Sequence, residues 1–189
     1  MSKSIYEYQQ SVEQRTKELN IKNEELFKLS ITDKLTGLYN RVKLDSVLQE
    51  NMSLSLRYGN IFSVIIIDID FFKKINDNFG HQVGDDVLKE CSYILSQNIR
   101  NVDTLGRWGG EEFLVVCPET LKDGAKDLAI KLNKAIKLHK FSTYPHSVTI
   151  SVGVASCSVN DLNYDDIISN ADKALYEAKN NGRDRVEIF

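Results

Sequence analysis

The chain has 189 residues, a length that suits one domain with an extension. Its 24 basic and 27 acidic side chains give a formal net charge of -3, so a broad polyanion-binding surface, and with it general nucleic-acid binding, is not expected. Cys91, Cys117 and Cys157 are odd in number and show no Cys-x-x-Cys spacing. Neither a disulfide framework nor a zinc site is therefore expected, and this cysteine usage fits a reducing cytoplasm.

No signal peptide opens the chain, and no apolar run approaches the ~20 residues of a membrane-spanning helix. We therefore expect a soluble, cytoplasmic chain with no membrane contact of its own. The same features are compatible with the cytoplasmic fragment of a larger, even membrane-bound, protein.

The first predicted element is a helix from residue 5 to about residue 30, a segment rich in Glu, Gln, Lys and Leu without Gly or Pro. A heptad series of apolar side chains runs along it: Ile5, Val12, Leu19 and Leu26. The second series of the seam is apolar only at its ends: Tyr8, Arg15, Lys22 and Leu29. A short, weak parallel coiled coil over residues 1–31 is the preferred interpretation, and a solvated amphipathic helix docked on its own domain is the alternative.

The rest of the chain, residues 32–189, is predicted to form one domain. Residues 32–40 are a non-helical joint, because Gly37 breaks the helix and Asn40 can cap the next one. Helices are predicted over residues 41–56, 72–79, 84–98, 121–138 and 162–180. Strands are predicted over residues 61–68, 102–108, 113–117, 147–155 and 185–189. Five strands interleaved with helices around a central hairpin indicate an α/β (α+β) domain with a sheet covered by helices.

Residues 107–113, Arg-Trp-Gly-Gly-Glu-Glu-Phe, are the most informative stretch of the chain. Two glycines between two apolar runs predict a hairpin with a two-residue turn, since glycine takes positive φ without steric cost. Glu111 and Glu112 follow the turn at once. A tight glycine tip lets the backbone approach a bulky ligand, and the carboxylates can hold a hard cation. Taken alone, the same pattern also fits a plain hairpin turn with solvated charges.

A β-branched run from Phe62 to Ile67 leads into Asp68 and Asp70. A fully apolar strand is buried on both faces, and carboxylates at its end emerge at the edge of the sheet, where sites are commonly built. The two aspartates, at i and i+2, point to the same side of an extended strand. If the hairpin lies beside this strand, Asp68 and one of the two glutamates converge on one metal ion.

At this point the sequence resembles a known family, the GGDEF diguanylate cyclases, which join two GTP molecules into cyclic di-GMP. Residues 109–113 spell GGEEF, a form of the family's signature. Other segments resemble the family in the expected order: 33–41, 68–77, 79–85, 151–155, 171–179 and 182–186. The likeness runs from about Thr32 to the end. It implies a nucleotidyl-cyclase palm-like fold with a central five-stranded, mostly antiparallel sheet and an N-terminal signalling helix.

The resemblance implies attack of a 3′-hydroxyl on an α-phosphate with release of pyrophosphate. The implied metal ligands are Asp68, the backbone carbonyl of Ile69 and Glu111, with Mg²⁺ as the expected ion and Mn²⁺ as an alternative. The implied catalytic side chains are Glu111, Glu112 and Lys73, of which Lys73 stabilises negative charge on the triphosphate. Which glutamate accepts the hydroxyl proton stays open. Asp70 is expected to be a supporting carboxylate.

The resemblance also implies a set of substrate-binding residues: Asn76, His81, Asp85, Gly109, Gly110, Lys179 and Arg183. Asn76 and Asp85 match base-reading positions and have the chemistry that guanine requires, and His81 matches a position near the nucleotide. Lys179 and Arg183 resemble a second phosphate-binding pair, although either alone would more often be a solvated charge. Phe71 and Phe72 are expected in the core, with one of them bordering the nucleotide.

Arg100 and Asp103 form an Arg-x-x-Asp pattern at the offset of the family's inhibitory site. The resemblance thus implies cyclic di-GMP as both product and feedback inhibitor, and a homodimer in which each protomer holds one GTP. A catalytically silent cyclic di-GMP receptor that uses only this pair is the main alternative. Intact Asp68, Lys73 and both glutamates argue against it. Another nucleotidyl cyclase or polymerase-like palm enzyme is a third interpretation, which Asn76 and Asp85 disfavour.

Overall fold

The computed structural model describes residues 2–158 and 161–189, except for the side chains of residues 2–7, 9 and 23–25. Helices and strands follow one another as α1 (Ser2–Ile31), α2 (Arg41–Tyr58), β1 (Phe62–Ile69), α3 (Phe72–Phe79), α4 (His81–Asn98), β2 (Thr104–Gly109), β3 (Glu112–Pro118), α5 (Lys122–Leu138), β4 (Ile150–Ser156), α6 (Tyr164–Asn180) and β5 (Arg185–Ile188). Within these ranges, no helix has the length and apolar character needed to cross a lipid bilayer.

The strands form one five-stranded sheet in the order β2-β3-β1-β4-β5. β1 is central and pairs antiparallel with β3 and with β4. β2 extends the sheet antiparallel to β3, whereas β5 runs parallel to β4 at the opposite edge. The predicted α/β (α+β) domain, with a mostly antiparallel five-stranded sheet flanked by helices, is confirmed.

Two hydrophobic cores lie on the two faces of the sheet, as the apolar sequence of β1 requires. All eight residues of β1 are buried. Ile65 and Ile67 belong to one core together with side chains of α4 and α5. Val64 and Ile66 belong to the other core with side chains of α2 and α6. Burial on both faces fixes the register of β1, because a slip of one residue would exchange the two sets of side chains.

Several predicted boundaries were wrong by two to three residues. α4 begins at His81 and not at Gly84, because this glycine lies inside the helix where α4 crosses α3. Residues 102–103 and 147–149 lie before the ladders of β2 and β4 begin. α6 starts at Tyr164, where Asn163 and Asp166 form a capping box that sets the start of the helix.

The joint between α1 and α2 is held by Asn40. Its side-chain oxygen accepts a hydrogen bond from Lys43 N at 3.2 Å and so caps α2. Its side-chain amide donates to the carbonyl of Ser30 at 2.8 Å, near the end of α1. The predicted cap is confirmed, and the same side chain fastens the end of one helix to the start of the next.

The apolar side chains of α1 are uncovered in the described residues. Val12, Leu19, Leu26 and Leu29 are between 46% and 63% exposed. Ile5, the first position of the heptad series, lies outside the described side chains. The alternative in which this helix docks on its own domain would bury these positions, so the exposed seam favours a partner helix. The coiled coil remains a prediction.

Candidate active site

A cleft of about 540 Å³ opens between α3, α4 and the tip of the β2–β3 hairpin. Its volume lies in the range typical of sites for small organic ligands. Six residues that the sequence predicted for substrate binding or catalysis line it: Lys73, Asn76, His81, Asp85, Gly110 and Glu111. Phe72, Asp77, Leu88 and Arg107 complete the lining.

The spacing of residues along α3 and along α4 explains why these side chains face the cleft. In α3, Phe72 and Ile75 are buried against the sheet, so Lys73 and Asn76 project from other faces of the helix. In α4, His81, Asp85 and Leu88 follow the i, i+4, i+7 spacing of one helical face. The cleft is therefore lined by one face of each helix.

Gly84 brings α3 and α4 into close contact. A Cβ atom at this position would lie 1.9 Å from Oδ1 of Asn76 and 3.3 Å from Cζ of Phe72. The space that a side chain would need is thus already filled by the amide of Asn76. This contact holds a predicted base-reading group in place, and it explains why a glycine occurs inside a helix despite its low helix propensity.

The hairpin turn consists of Gly110 and Glu111, so the prediction that Gly109 and Gly110 form the turn was wrong by one residue. Gly109 is the last residue of β2 and pairs with Glu112, and the register shifts at Trp108 between Arg107 and Gly109. This bulge moves the turn one residue along the chain. Gly110 has φ of 50°, which glycine adopts without strain. Glu111 therefore sits in the turn itself, and Glu112 begins β3.

Acidic side chains converge where β1 and β3 meet. Asp68 lies opposite Glu112 in the ladder, and the amide of Ile69 donates to the carbonyl of Glu111 at 3.4 Å. Burial raises the pKa of Asp68, and the negative charges of Glu111 and Asp70 add to this effect. Lys179 opposes it through an ion pair of 2.8 Å with Asp68. Burial likewise raises the pKa of Glu112, and the charge of Asp68 raises it further.

This concentration of negative charge suits a hard cation. Asp68, Glu111 and the carbonyl of Ile69 are all oxygen donors, the type that Mg²⁺ prefers. Across residues 2–158 and 161–189, no three His, Cys, Asp or Glu side chains are grouped as ligands of one ion. An ion held by two carboxylates and a carbonyl would complete its shell with water and substrate oxygens, which is the usual situation for Mg²⁺.

Asp70 is occupied by hydrogen bonds and does not face the cleft lining. Its carboxylate accepts from Thr149 Oγ1 at 2.7 Å, from Ser151 Oγ at 2.6 Å and from the amide of Asp184 at 3.0 Å. It therefore ties the end of β1 to β4 and to the segment that follows α6. This arrangement fits the supporting role expected from the sequence.

Lys179 and Arg183 are not part of the lining of the 540 Å³ cleft. Lys179 pairs with Asp68, as described above. The guanidinium of Arg183 lies 4.7 Å from the centre of the Phe71 ring. Phe72 is buried, but Phe71 is 52% exposed, so the prediction that both belong to the core was wrong for Phe71. The reason is the turn between β1 and α3, where Phe71 adopts a left-handed backbone conformation.

Arg107 is a cleft residue to which the sequence assigned no role. Its Nε donates to the carbonyl of Gly110 at 2.8 Å, and its Nη1 lies 3.3 Å from Asp33. Burial raises the pKa of Asp33, but hydrogen bonds from Thr36 and the charge of Arg107 hold that pKa below its ordinary value. Arg107 thus fastens the hairpin tip to the joint after α1. Arg107 and Asp33 are 74 residues apart, so the sequence offered only two separate motifs and no sign of the pairing.

Arg100 and Asp103 lie in the loop between α4 and β2, outside the cleft. The amide of Arg100 donates to Oδ2 of Asp103 at 3.0 Å, and the amide of Asp103 donates to the carbonyl of Arg100 at 3.1 Å. Arg100 is exposed, whereas Asp103 is only 8% exposed. Oδ1 of Asp103 is a buried oxygen without a hydrogen-bond partner among the described residues.

Comparison with known proteins places these features in a family context. A family model described as "Diguanylate cyclase, GGDEF domain" matches residues 30–185. The chain is 37% identical over 187 residues to the diguanylate cyclase DgcP of Pseudomonas aeruginosa. The aligned region covers 98% of this chain and 28% of that protein. The chain is 38% identical over 173 residues to diguanylate cyclase A of Treponema denticola, covering 89% and 47% respectively. The chain thus spans less than half the length of these curated relatives.

Solved structures give the same assignment. The coiled coil and GGDEF domain of DgcB from Caulobacter crescentus, in complex with c-di-GMP, superposes with a TM-score of 0.91 at 25% identity, over 98% of this chain and 100% of that one. The active GGEEF domain of a diguanylate cyclase from Vibrio cholerae gives a TM-score of 0.76 at 37% identity, over 79% and 96% of the two chains. The first comparison extends over α1 as well as the catalytic fold.

Proposed function

The chain belongs to the GGDEF family of diguanylate cyclases, and we propose that it condenses two molecules of GTP into cyclic di-GMP with release of pyrophosphate. One observation carries the proposal: a single cleft brings together Lys73, Asn76, Asp85 and Glu111. These side chains offer a cation for a phosphate chain, an amide and a carboxylate for a base, and a carboxylate beside a predicted metal position.

Asn76 and Asp85 bind guanine in this proposal. Guanine presents N–H donors at N1 and N2, which a carboxylate accepts, while the amide of Asn76 can both donate and accept. His81 lies near the base, and Gly110 provides a wall without a side chain. Replacing Asp85 with serine should reduce the preference for GTP over ATP, because a hydrogen bond to a charged acceptor contributes about 1.5–3 kcal/mol. An unchanged preference in competition assays would assign base reading to other residues.

Cations on two sides bind the phosphates. Lys73 lies in the cleft and acts as a point charge that stabilises the negative charge developing on the triphosphate. Lys179 and Arg183 form the second phosphate-binding pair, with Gly109 and Gly110 leaving room at the hairpin tip. Lys179 is paired with Asp68, so a bound phosphate chain would compete with this carboxylate for the ammonium group.

Asp68, the carbonyl of Ile69 and Glu111 would hold Mg²⁺, with Mn²⁺ as an alternative. The bound ion would neutralise phosphate charge and lower the pKa of the attacking 3′-hydroxyl. The side chains of this chain orient the two reactants and accept the hydroxyl proton. Either Glu111 or Glu112 accepts it.

A homodimer is required by the stoichiometry. Two GTP molecules react, whereas the described cleft holds predicted contacts for one base and one phosphate chain. Two clefts facing each other across a two-fold axis would place each 3′-hydroxyl against the other nucleotide's α-phosphate. The exposed heptad side chains of α1 provide a means of holding two protomers on a common axis.

The three cysteines without disulfides suit the reducing cytoplasm, where GTP is available.

Feedback inhibition by the product at Arg100 and Asp103 is part of the proposal. The exposed guanidinium of Arg100 can fork to guanine or phosphate. Oδ1 of Asp103 has no hydrogen-bond partner within residues 2–158 and 161–189, and an unpaired buried acceptor costs roughly 1–3 kcal/mol. A base donor that reaches this oxygen recovers that cost, although the loop must open slightly to expose it.

The test is to incubate the purified protein with GTP and Mg²⁺ and to identify the product by mass spectrometry. Glu111→Ala and Asp68→Ala should form no cyclic di-GMP while keeping the circular dichroism spectrum of the parent. Glu50→Ala, an exposed position on α2, serves as the control and should retain full activity. Turnover by a folded Glu111→Ala protein at the parental rate would refute the site. A parent that binds cyclic di-GMP but makes none would instead favour the silent receptor.

A further inference from the structure

Phe71 combines two unfavourable features. It has φ of 57°, a left-handed conformation that is an outlier for a bulky side chain. Phe71 is also 52% exposed as a residue, whereas the adjacent Phe72 is 8% exposed in the core. Folding alone accounts for neither feature, since glycine would adopt this backbone without strain and a polar residue would suit the exposure. Such unfavourable conformations persist mainly at functional sites.

The Phe71 ring lies against two cations. The guanidinium carbon of Arg183 and the ammonium nitrogen of Lys74 are each 4.7 Å from the ring centre. These distances are within the range of cation–π attraction. Across the described ranges, neither cation forms an ion pair with a carboxylate. The ring therefore holds two positive charges that remain available to an anion.

The approach of Arg183 to this ring is fixed by the backbone on both sides. Arg183 has φ of 63° and Asp184 has φ of 47°, so both residues are also left-handed. The amide of Arg183 donates to the carbonyl of Ala178 at 2.9 Å, and the amide of Asp184 donates to the carboxylate of Asp70 at 3.0 Å. Asp70 directly precedes Phe71, so these contacts set the position of the guanidinium relative to the ring.

We propose that Phe71 is a positioning residue whose ring orients Arg183 for the phosphate chain of the nucleotide. The inference rests on the proposed function, in which Arg183 binds phosphate. A mobile arginine side chain loses conformational entropy when it binds a ligand. A side chain already held on an aromatic face loses less, so its binding costs less free energy. The strained backbone of Phe71 is what places its ring outside the core and under the guanidinium.

Calorimetric titration with GTP and with GMP tests this role, because GMP lacks the β- and γ-phosphates. Phe71→Leu should weaken GTP binding about three-fold to ten-fold, the effect expected from loss of a cation–π contact, and should leave GMP binding unchanged. Phe71→Tyr keeps the ring and should bind GTP like the parent. Phe71→Gly removes the ring and also relieves the backbone, so it should bind GTP as weakly as Phe71→Leu without a lower melting temperature.

Arg183→Gln separates this inference from the proposed function. In the Arg183→Gln background, Phe71→Leu should change GTP affinity less than two-fold, because the residue it positions is gone. Parental GTP affinity for Phe71→Leu or Phe71→Gly overturns the inference, as does a full effect of Phe71→Leu in the Arg183→Gln background. If the parent binds GTP with these dependencies but forms no cyclic di-GMP, the positioning role stands and the proposed reaction fails.

Discussion

Gly84→Ala should separate stability from substrate recognition. The added methyl group would lie 1.9 Å from Oδ1 of Asn76, so the two atoms cannot both keep their positions. The backbone of α4 is fixed by its packed face, whereas the amide of Asn76 is at the end of a flexible side chain. We therefore expect the amide to rotate away and the helices to remain in place.

The substitution should affect the stability of the fold and the affinity for GTP differently. Replacing an interior helical glycine with alanine contributes about 0.5–1 kcal/mol to stability, which offsets the cost of moving Asn76. Loss of one hydrogen bond to the base, with its partner left unpaired, costs about 1–3 kcal/mol. Since about 1.4 kcal/mol corresponds to a factor of ten, the affinity for GTP should fall about ten-fold while the melting temperature hardly changes.

GTP titration and thermal unfolding on the same preparations measure both quantities. Gly124→Ala in α5 is the matched control, because its methyl group would meet only Thr120 Cγ2 at 3.3 Å, away from the cleft lining. Asn76→Ala should weaken GTP binding as much as Gly84→Ala does. If Gly84→Ala binds GTP like the parent while Asn76→Ala does not, the displacement argument is wrong. If both bind like the parent, Asn76 does not recognise the base.

Further predictions concern feedback, assembly and pH. Arg100→Ala should abolish tight cyclic di-GMP binding in calorimetry and relieve product inhibition, and equal binding by parent and variant would contradict the inhibitory site. Replacing Leu19 and Leu26 with Asp puts like charges into the predicted seam, so sedimentation and activity should fall together and recover partly at high protein concentration; a fully active dimer at low concentration would show that α1 is not the dimerising element. Burial raises the pKa of Asp33, but hydrogen bonds, chiefly from Thr36, outweigh it and lower the pKa. Its charged form therefore stabilises the fold above the unfolded pKa of about 3.9, and this stabilisation is lost as pH falls through the lower folded pKa. The melting temperatures of parent and Asp33→Asn should accordingly differ at pH 7 and converge as the pH falls below about 3.9, and a constant gap would contradict the assignment.

The sheet and the helices were predictable because their signals are local, as in the apolar run of β1, which has only one way to be buried. The members of the cleft were predicted through the resemblance to the GGDEF family. The common helical face of His81 and Asp85 was not predicted, because the helix was expected to begin at Gly84 and not at His81. The predicted ends of helices and strands were wrong where a tertiary contact determines where the element begins. Gly84 resembles a helix start until its contact with Asn76 is known, because a glycine inside a helix is explained only by the neighbouring element that excludes a side chain.

Long-range pairs and exposed aromatics were beyond sequence reasoning for a different reason. Asp33 and Arg107 belong to separate motifs, and residue types alone do not show that they pair across 74 positions. Phe71 resembles a core residue because hydrophobicity is the only local signal it carries. Its left-handed backbone comes from the turn between β1 and α3, and its contact with Arg183 comes from the segment after α6. The periodicity of apolar residues in the sequence predicts neither feature.

The joint after α1 also covers part of the edge of the sheet. β2 is an edge strand, and such strands expose unpaired amides and carbonyls to which other chains can add. Here Tyr39 forms a parallel bridge with Gly106, and its carbonyl accepts from the amide of Arg107 at 2.8 Å. The opposite edge, β5, has only four residues and carries Arg185 and Glu187. Both edges are thus poor templates for strand addition, so the sheet is protected against edge-to-edge aggregation.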